Sequence, residues 1–554
     1  MITPRRLHAL LATLLAATPL AAQPAPAPTS APTIPAPAPK LIVVISVDQL
    51  SADLFAEYRS SFTGGFARLA RGAVFPSAYQ AHAATETCPG HSTILTGSHP
   101  ARTGIIANRW LDQRITRKDK RVYCAEDPTI ANEADASGYT ASAQYLLMPT
   151  LGERLRAVNP ASRTVSVSGK DRAALMMAGR TAREVYWQTP TGFAALTGVT
   201  LPPTVQAANA ALAARLATAQ PPMPLPPMCE HRSRGVAAGA VTVGTGRFAR
   251  TAGDASAFRT SPENDAATLA LAAAMVRDTG LGRGAGTDVL AVGVSATDYV
   301  GHAYGTQGAE MCGQLMALDR SLDGFFRYLD STKIPYVVAL TADHGGLDLP
   351  ERADIQAVPA AARVTLDTKA LNEALVAELT LAPGTPVLLA DGPFGDVYVS
   401  EVLPAATRAR ALRLARDRLT ADPQVALVLT HDELAAFPIP GGSPREWSLV
   451  ERARASFHPD RSGDLIVLLR PQVTPIAKPA AGYVATHGSP WDYDRRVPIL
   501  VWQRGRTGFE QPQPVDTVDL LPTLAALVGL PIGAPVIDGR CLDLDPEEGT
   551  TCGR

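Results

Sequence analysis

The stretch Leu41-Ile-Val-Val-Ile-Ser-Val47 is apolar at every position but Ser46. A strand that reads this way is covered on both faces, as in a parallel sheet held between layers of helix. Runs of the same kind recur at 163–168, 288–295, 336–341, 464–469 and 497–502. Between them apolar residues fall at helical spacing, over 266–277, 309–329 and 517–530. This alternation predicts an α/β fold with a doubly wound, mostly parallel central sheet and helices on both faces. Three stretches break the rhythm. Residues 109–149 are polar and irregular, 182–250 contain the Pro-rich run 221–228, and 347–459 carry their own strands and an Arg-rich helix at 405–419. They are expected as insertions on the loops of one domain spanning 40–554. Length alone would have allowed roughly three to four domains. No internal repeat is visible.

The first residues have another character. Arg5 and Arg6 precede an apolar run at 7–15, and Leu20-Ala21-Ala22 offers small residues for cleavage. Residues 1–22 therefore read as a secretory signal, with an apolar run too short to span a bilayer. Residues 23–39 are almost entirely Pro, Ala, Ser and Thr and are expected as a linker. No later apolar run reaches membrane-spanning length. The mature chain is expected to be exported, to the periplasm or the medium, where disulfides can form. Six cysteines remain: Cys88, Cys124, Cys229, Cys312, Cys541 and Cys552. Their spacing resembles no zinc finger, and roughly fifteen pairings are open. The nearness of Cys541 to Cys552 favours that pair, with Cys88–Cys124 and Cys229–Cys312 then expected for the others.

Hydrophobic residues make up 46% of the 554, which excludes global disorder. The 51 Lys and Arg balance 52 Asp and Glu, so the dense positive surface of a dedicated nucleic-acid binder is not expected. Only 7 of the basic residues are Lys. A coding bias accounts for that scarcity, and what gives one of these lysines weight is its place in the chain. No heptad pattern argues for assembly, so a monomer is expected.

Ligands of open α/β sheets bind beyond the C-terminal ends of the strands. Asp48 follows the first strand. Ala-Thr-Asp298-Tyr-Val-Gly-His302 follows the run at 288–295, and Ala-Asp343-His344-Gly-Gly follows the run at 336–341. His487 precedes the run at 497–502. Three Asp and three His on one rim suit two divalent metals, zinc first, with other metals such as calcium remaining open. Taken singly, an Asp at a strand end is more often a helix cap and a lone His more often structural. Their co-occurrence at equivalent strand ends favours ligation. Asp298 and His302, four apart, can share one face of a turn. In Thr85-Glu86-Thr87-Cys88-Pro89-Gly90-His91, Thr87 leads into a helical stretch at 92–95, where it could be a nucleophile held at an anion-stabilising helix start or simply a cap. His91 reads as structural. Glu86 and Asp492 read as supporting groups, and the run Trp491 to Arg496 as support for His487.

Together these segments resemble the alkaline phosphatase superfamily, in its branch of secreted PhoK/PafA-type bacterial alkaline phosphatases with a threonine nucleophile. The matching pieces are Val47-Asp48-Gln49, Thr87 to His91, Gly104 to Trp110 with Asn108, Ser168-Gly-Lys170-Asp-Arg172, Asp298 to His302, Asp343-His344, His487 and the run from Val515 to Gly529. The resemblance implies one metal held by Asp298, His302 and His487, and another by Asp48, Asp343 and His344 with Thr87 facing it, two zinc ions per chain. It implies that Thr87 forms a covalent phosphothreonine and that Asn108, Lys170 and Arg172 contact phosphate oxygens. An alkaline optimum is expected, because attack needs a deprotonated hydroxyl and a dianionic ester.

Lys170 alone would read as a solvated turn residue. Its place directly after a strand, two residues before Arg172, puts two cations at the rim and favours a phosphate monoester, which carries one more negative charge than a diester. The expected partners are thus small phosphate esters. A phosphodiesterase or nucleotide pyrophosphatase of the same superfamily is the alternative, and a non-catalytic phosphate- or metal-binding protein a further one. A sulfatase would need a Cys-x-Pro-x-Arg pattern, whereas Pro89 follows Cys88 directly and position 92 is Ser. Export disfavours a phosphoglycerate-mutase-like role.

Overall fold

The strand Leu41–Val47 buries all seven of its residues, and it lies in a ten-stranded sheet. The protein is a computed structural model describing residues 37–129, 138–358, 360–546 and 550–553. The expected secretory signal and most of the linker lie outside the described residues. Across the sheet the order is Phe509–Glu510, Ala73–Tyr79, Arg496–Gln503, Tyr336–Thr341, Leu41–Val47, Asp288–Val294, Thr164–Ser168, Glu184–Thr189 and Gly192–Ala195, with Val515–Asp516 also paired to Ala73–Tyr79. The four strands from Tyr336–Thr341 to Thr164–Ser168 are mutually parallel and in register, Val44 lying opposite Ala291 on one side and Ala339 on the other. Arg496–Gln503 runs antiparallel to both of its neighbours. The ends of five strands and the beginning of Arg496–Gln503 therefore share one rim, and that topology converts distant residues into neighbours.

Helices cover the sheet. Pro262–Thr279 starts on Ser261, whose hydroxyl accepts from Glu263 N–H, and ends at left-handed Gly280. Ala309–Ser331 turns Met311, Leu315, Leu322 and Phe326 into the same core. Burying one such side chain is worth about 1.5–3 kcal/mol relative to leaving it exposed.

Three strands do not lie where the apolar pattern suggested. The run at 464–469, expected in the central sheet, forms Leu465–Leu469 of a separate four-stranded antiparallel sheet with Leu388–Ala390, Gly395–Val399 and Val425–Thr430. Leu465, Val467 and Leu469 pack under the helices Thr368–Glu378 and Ala405–Ala421, while Ile466 and Leu468 meet Leu434 and Phe457 on the opposite face. A strand covered on both faces reads alike in either sheet. Conversely, Glu184–Thr189 and Gly192–Ala195, inside the stretch expected as an insertion, extend the central sheet at its edge. Their buried runs, Val185 to Trp187 and Gly192-Phe193, are too short to read as core strands. Residues Arg109–Leu111 and Arg121–Tyr123 pair as a small hairpin. The three disulfides join Cys88 to Cys124, Cys229 to Cys312 and Cys541 to Cys552, as expected.

Candidate active site

Each rim residue is placed by the strand before it. Asp48 follows Leu41–Val47, Lys170 and Arg172 follow Thr164–Ser168, Asp298 and His302 sit on the helix Ala296–Tyr304 after Asp288–Val294, and Asp343-His344 follow Tyr336–Thr341. Two clusters result. Asp298, His302 and His487 offer ligand atoms within 4.8 Å of one another, and so do Asp48, Asp343 and His344. In the first, His302 Nε2 and His487 Nε2 lie 3.2 and 3.4 Å from Asp298 Oδ1. In the second, His344 Nε2 lies 3.2 Å from Asp343 Oδ2 and 3.5 Å from Asp48 Oδ1.

The rings are fixed from behind. Nδ1 of His302, His344 and His487 faces the backbone oxygens of Ala485, Gly345 and Thr85 at 2.9, 2.8 and 2.8 Å. With Nδ1 donating there, each Nε2 presents a lone pair to the carboxylates. Asp48 Oδ1, Asp298 Oδ1, Asp343 Oδ2 and His344 Nε2 are buried without a hydrogen-bond partner. Lone pairs aimed at one another in a buried space repel, and a divalent cation between them resolves the conflict. The donor sets therefore fit metal ions. The electrostatics agree. Burial, then Asp298 and Asp343, push the Asp48 carboxyl well above its ordinary range. Asp298 is held well below its own despite burial, by His302 and Lys170. Burial lowers His344 to about 3, so its ring is neutral, as a ligand requires.

Thr87 opens the helix Thr87–Ile94, where Glu86, not Thr87, occupies the cap position. Its Oγ1 lies 3.5 Å from Lys170 Nζ and 3.4 Å from Arg172 Nη2. Lys170 Nζ also lies 2.6 Å from Asp48 Oδ2 and 2.5 Å from Asp298 Oδ2, touching one carboxylate of each cluster. Burial opposes its charge, but Asp298 and Asp48 outweigh burial and raise its pKa. Asn108 joins from the next loop, its Oδ1 accepting from Cys88 N–H at 2.8 Å. That leaves its amide NH2 free to turn toward the same place. All ten residues singled out from the sequence thus converge at one rim.

Supporting groups were less legible. His91 Nδ1 faces the Thr87 backbone oxygen at 2.9 Å and lies 3.0 Å from Asp343 Oδ2, so this structural histidine packs between the helix start and a cluster residue. Glu86 Oε2 accepts from Asn108 N–H at 2.7 Å, and burial pushes its carboxyl up to about 7. Behind His487 the support is Asp494 rather than Asp492: Asp494 Oδ2 accepts from Ser489 N–H and Oγ at 2.9 and 2.6 Å, whereas Asp492 pairs with Arg495. Gln49 belongs to the matching segment Val47-Asp48-Gln49, where the sequence assigns it no role of its own. It sits buried at φ 69°, with its N–H donating to Asp343 Oδ1 at 3.1 Å. Its left-handed backbone is a three-dimensional signal that a sequence does not carry. Two glycines let the parts close up. A Cβ on Gly90 would lie 2.0 Å from the Asp343 backbone oxygen, and one on Gly345 would lie 2.2 Å from that of Tyr493.

A cleft of about 450 Å³ opens from this rim, bounded by Arg172, His302 and His487 within and by the second sheet's loop at 391–396 without.

A mixed sheet with two Asp/His clusters and a threonine at its rim is the architecture of the alkaline phosphatase superfamily. Within it, residues 42–490 match the family described as type I phosphodiesterase / nucleotide pyrophosphatase, and the chain belongs to that family. An alkaline phosphatase PhoK of Sphingomonas sp is 56% identical over 519 residues, covering 93% of this chain and 92% of the relative. The crystal structure of wild-type alkaline phosphatase PafA matches with a TM-score of 0.79 at 26% identity, covering 91% of this chain and 98% of that one. A PafA variant substituted at one Thr, one Asn, one Lys and one Arg gives 0.78 at 25%, with the same coverage.

Proposed function

We infer that this chain, an enzyme that hydrolyses phosphate esters, is an exported two-metal phosphomonoesterase acting through a covalent phosphothreonine on Thr87. The observation that carries this reading is the place of the Thr87 hydroxyl, within 3.5 Å of Arg172 and of Lys170, whose Nζ touches one carboxylate of each Asp/His cluster. The PafA variant supports it. Its substituted Thr, Asn, Lys and Arg are separated along the chain by the same intervals as Thr87, Asn108, Lys170 and Arg172 here.

Metals held by Asp48/Asp343/His344 and by Asp298/His302/His487 would supply Lewis acidity to the attacking and leaving oxygens. Thr87 Oγ1, losing its proton, attacks phosphorus while the bond to the alcohol oxygen breaks, and water then cleaves the phosphothreonine and restores the hydroxyl. Arg172 offers paired N–H donors and Lys170 a point charge to the phosphoryl oxygens as their charge redistributes. Asn108, tied to the nucleophile helix at Cys88, orients the group without adding charge. Zinc best suits mixed imidazole and carboxylate donors, with calcium the alternative.

Among the described residues no helix is long and apolar enough to cross a membrane. Export rests on the sequence of residues 1–22 and on three disulfides in a chain with no free cysteine among the described residues. Broad substrate range and a monomeric state complete the proposal.

The test is turnover of p-nitrophenyl phosphate against bis(p-nitrophenyl) phosphate, with metal quantified in the same preparation. We expect monoester preference and two divalent ions per chain. A clear diester preference would overturn the monoesterase reading in favour of the phosphodiesterase of the family description.

A further inference from the structure

The cleft outside the phosphate-binding rim has its own chemistry. Its outer walls carry three carboxylates, Glu86, Asp391 and Asp396, and three aromatic rings, Trp110, Phe394 and Tyr398. Phe394, on the turn between Leu388–Ala390 and Gly395–Val399, reaches across to the rim: its Cζ lies 3.3 Å from where a Cβ on Gly488 would sit, and Glu86 Cγ lies 3.6 Å from the same point. Asp396 is anchored by Gly463 N–H at 2.7 Å. Positive charge on these outer walls is sparse. Arg109 is exposed at the edge, and Arg121 lies 3.7 Å from Asp391 with both side chains over 40% exposed. Arg172, Lys170 and the two histidines belong to the inner end, where the phosphate goes.

We propose that this outer cleft binds the alcohol half of the substrate and selects a cationic alcohol, such as an alkylammonium, over an anionic one. The inference rests on the phosphomonoesterase reading, which fixes where the leaving group must lie. An ammonium entering here meets carboxylates at short range and aromatic faces that hold cations. An anionic alcohol meets like charges in a partly desolvated wall, which repels it. Selection and catalysis are thus divided between the two ends of one cleft.

Phosphoethanolamine and phosphoglycolate carry opposite charges on a two-carbon alcohol and make a direct comparison. At low salt kcat/KM should favour phosphoethanolamine by about tenfold, chiefly through KM, and salt should shrink the preference. Asp391→Lys and Asp396→Asn should each move the ratio toward phosphoglycolate. The ratio is independent of the fraction of enzyme that folds. If p-nitrophenyl phosphate is hydrolysed normally but the two substrates differ by less than about twofold, or neither variant moves the ratio, the subsite is wrong. If p-nitrophenyl phosphate is not hydrolysed by the unsubstituted enzyme, the phosphomonoesterase reading fails and the subsite with it.

Discussion

At the scale of single residues, the proposed mechanism divides the work of the site between Thr87 and Lys170. Thr87→Ala should lower monoester turnover by about a thousandfold or more while bound metal stays unchanged, since all six Asp/His donors remain. Full turnover in that variant would move the nucleophile to another hydroxyl. Lys170 touches Asp48 and Asp298, one from each cluster, so its removal also changes how the clusters face each other. Lys170→Ala should therefore reduce monoester hydrolysis more than diester hydrolysis, measured on the two p-nitrophenyl esters. Equal losses would show that its charge does not discriminate between them. Of the residues that meet at the rim, Asp48, Lys170, Asp298 and Asp343 were readable in the chain because each stands just after an apolar run, and His487 because it stands before one. Their neighbours were not. Asp494 and Asp492 are two apart in one short helix, and only burial shows that the first supports Ser489 while the second faces outward to Arg495.

At the scale of elements, the helix Thr87–Ile94 has all eight residues buried and so little room to shift. Gly90 lets it lie against the Asp343 backbone, so the helix that begins with Thr87 packs directly on a residue of one cluster. Gly90→Ala should push the two apart. Metal affinity and turnover should both fall, with a loss of stability of roughly 1–3 kcal/mol from overpacking, read by calorimetry and metal titration. Unchanged metal affinity would mean the loop at 343–346 yields freely. The central strands were legible because burial on both faces leaves an unbroken apolar run. The strand Leu465–Leu469 carries the same signature for a different reason, since its two faces serve two separate apolar clusters. Periodicity reports how many faces are covered and not which sheet covers them. The strands Glu184–Thr189 and Gly192–Ala195 fail in the opposite sense: their buried runs, Val185 to Trp187 and Gly192-Phe193, are too short to read as part of the sheet they extend.

For the whole molecule, pH also acts through a buried carboxyl outside the two clusters. Burial, then Asp516, raise Asp519 to about 7 from an ordinary value of 3.8, although Arg540 N–H hydrogen-bonds it at 2.8 Å. The folded state therefore keeps this proton at pH values where the unfolded chain has released it. Its contribution to stability is complete below about pH 4 and is lost as pH rises toward about 7. Asp519→Asn removes the titration. Across that window the variant should gain on the parent by up to about 1.4 kcal/mol per pH unit, measured as the difference in unfolding free energy. A constant difference from pH 4 to 7 would place the carboxyl at its ordinary value. Another feature reaches beyond the fold. The bond between Cys88 and Cys124 begins one residue after the nucleophile and ties its helix to the Arg109–Leu111/Arg121–Tyr123 hairpin that borders the cleft. In a thiol-rich compartment that tether is absent. On the proposed reading of Thr87 and of export, the newly made chain would then lack a finished pocket until it left the place of its synthesis, and the phosphorylated metabolites of the producing cell would be spared.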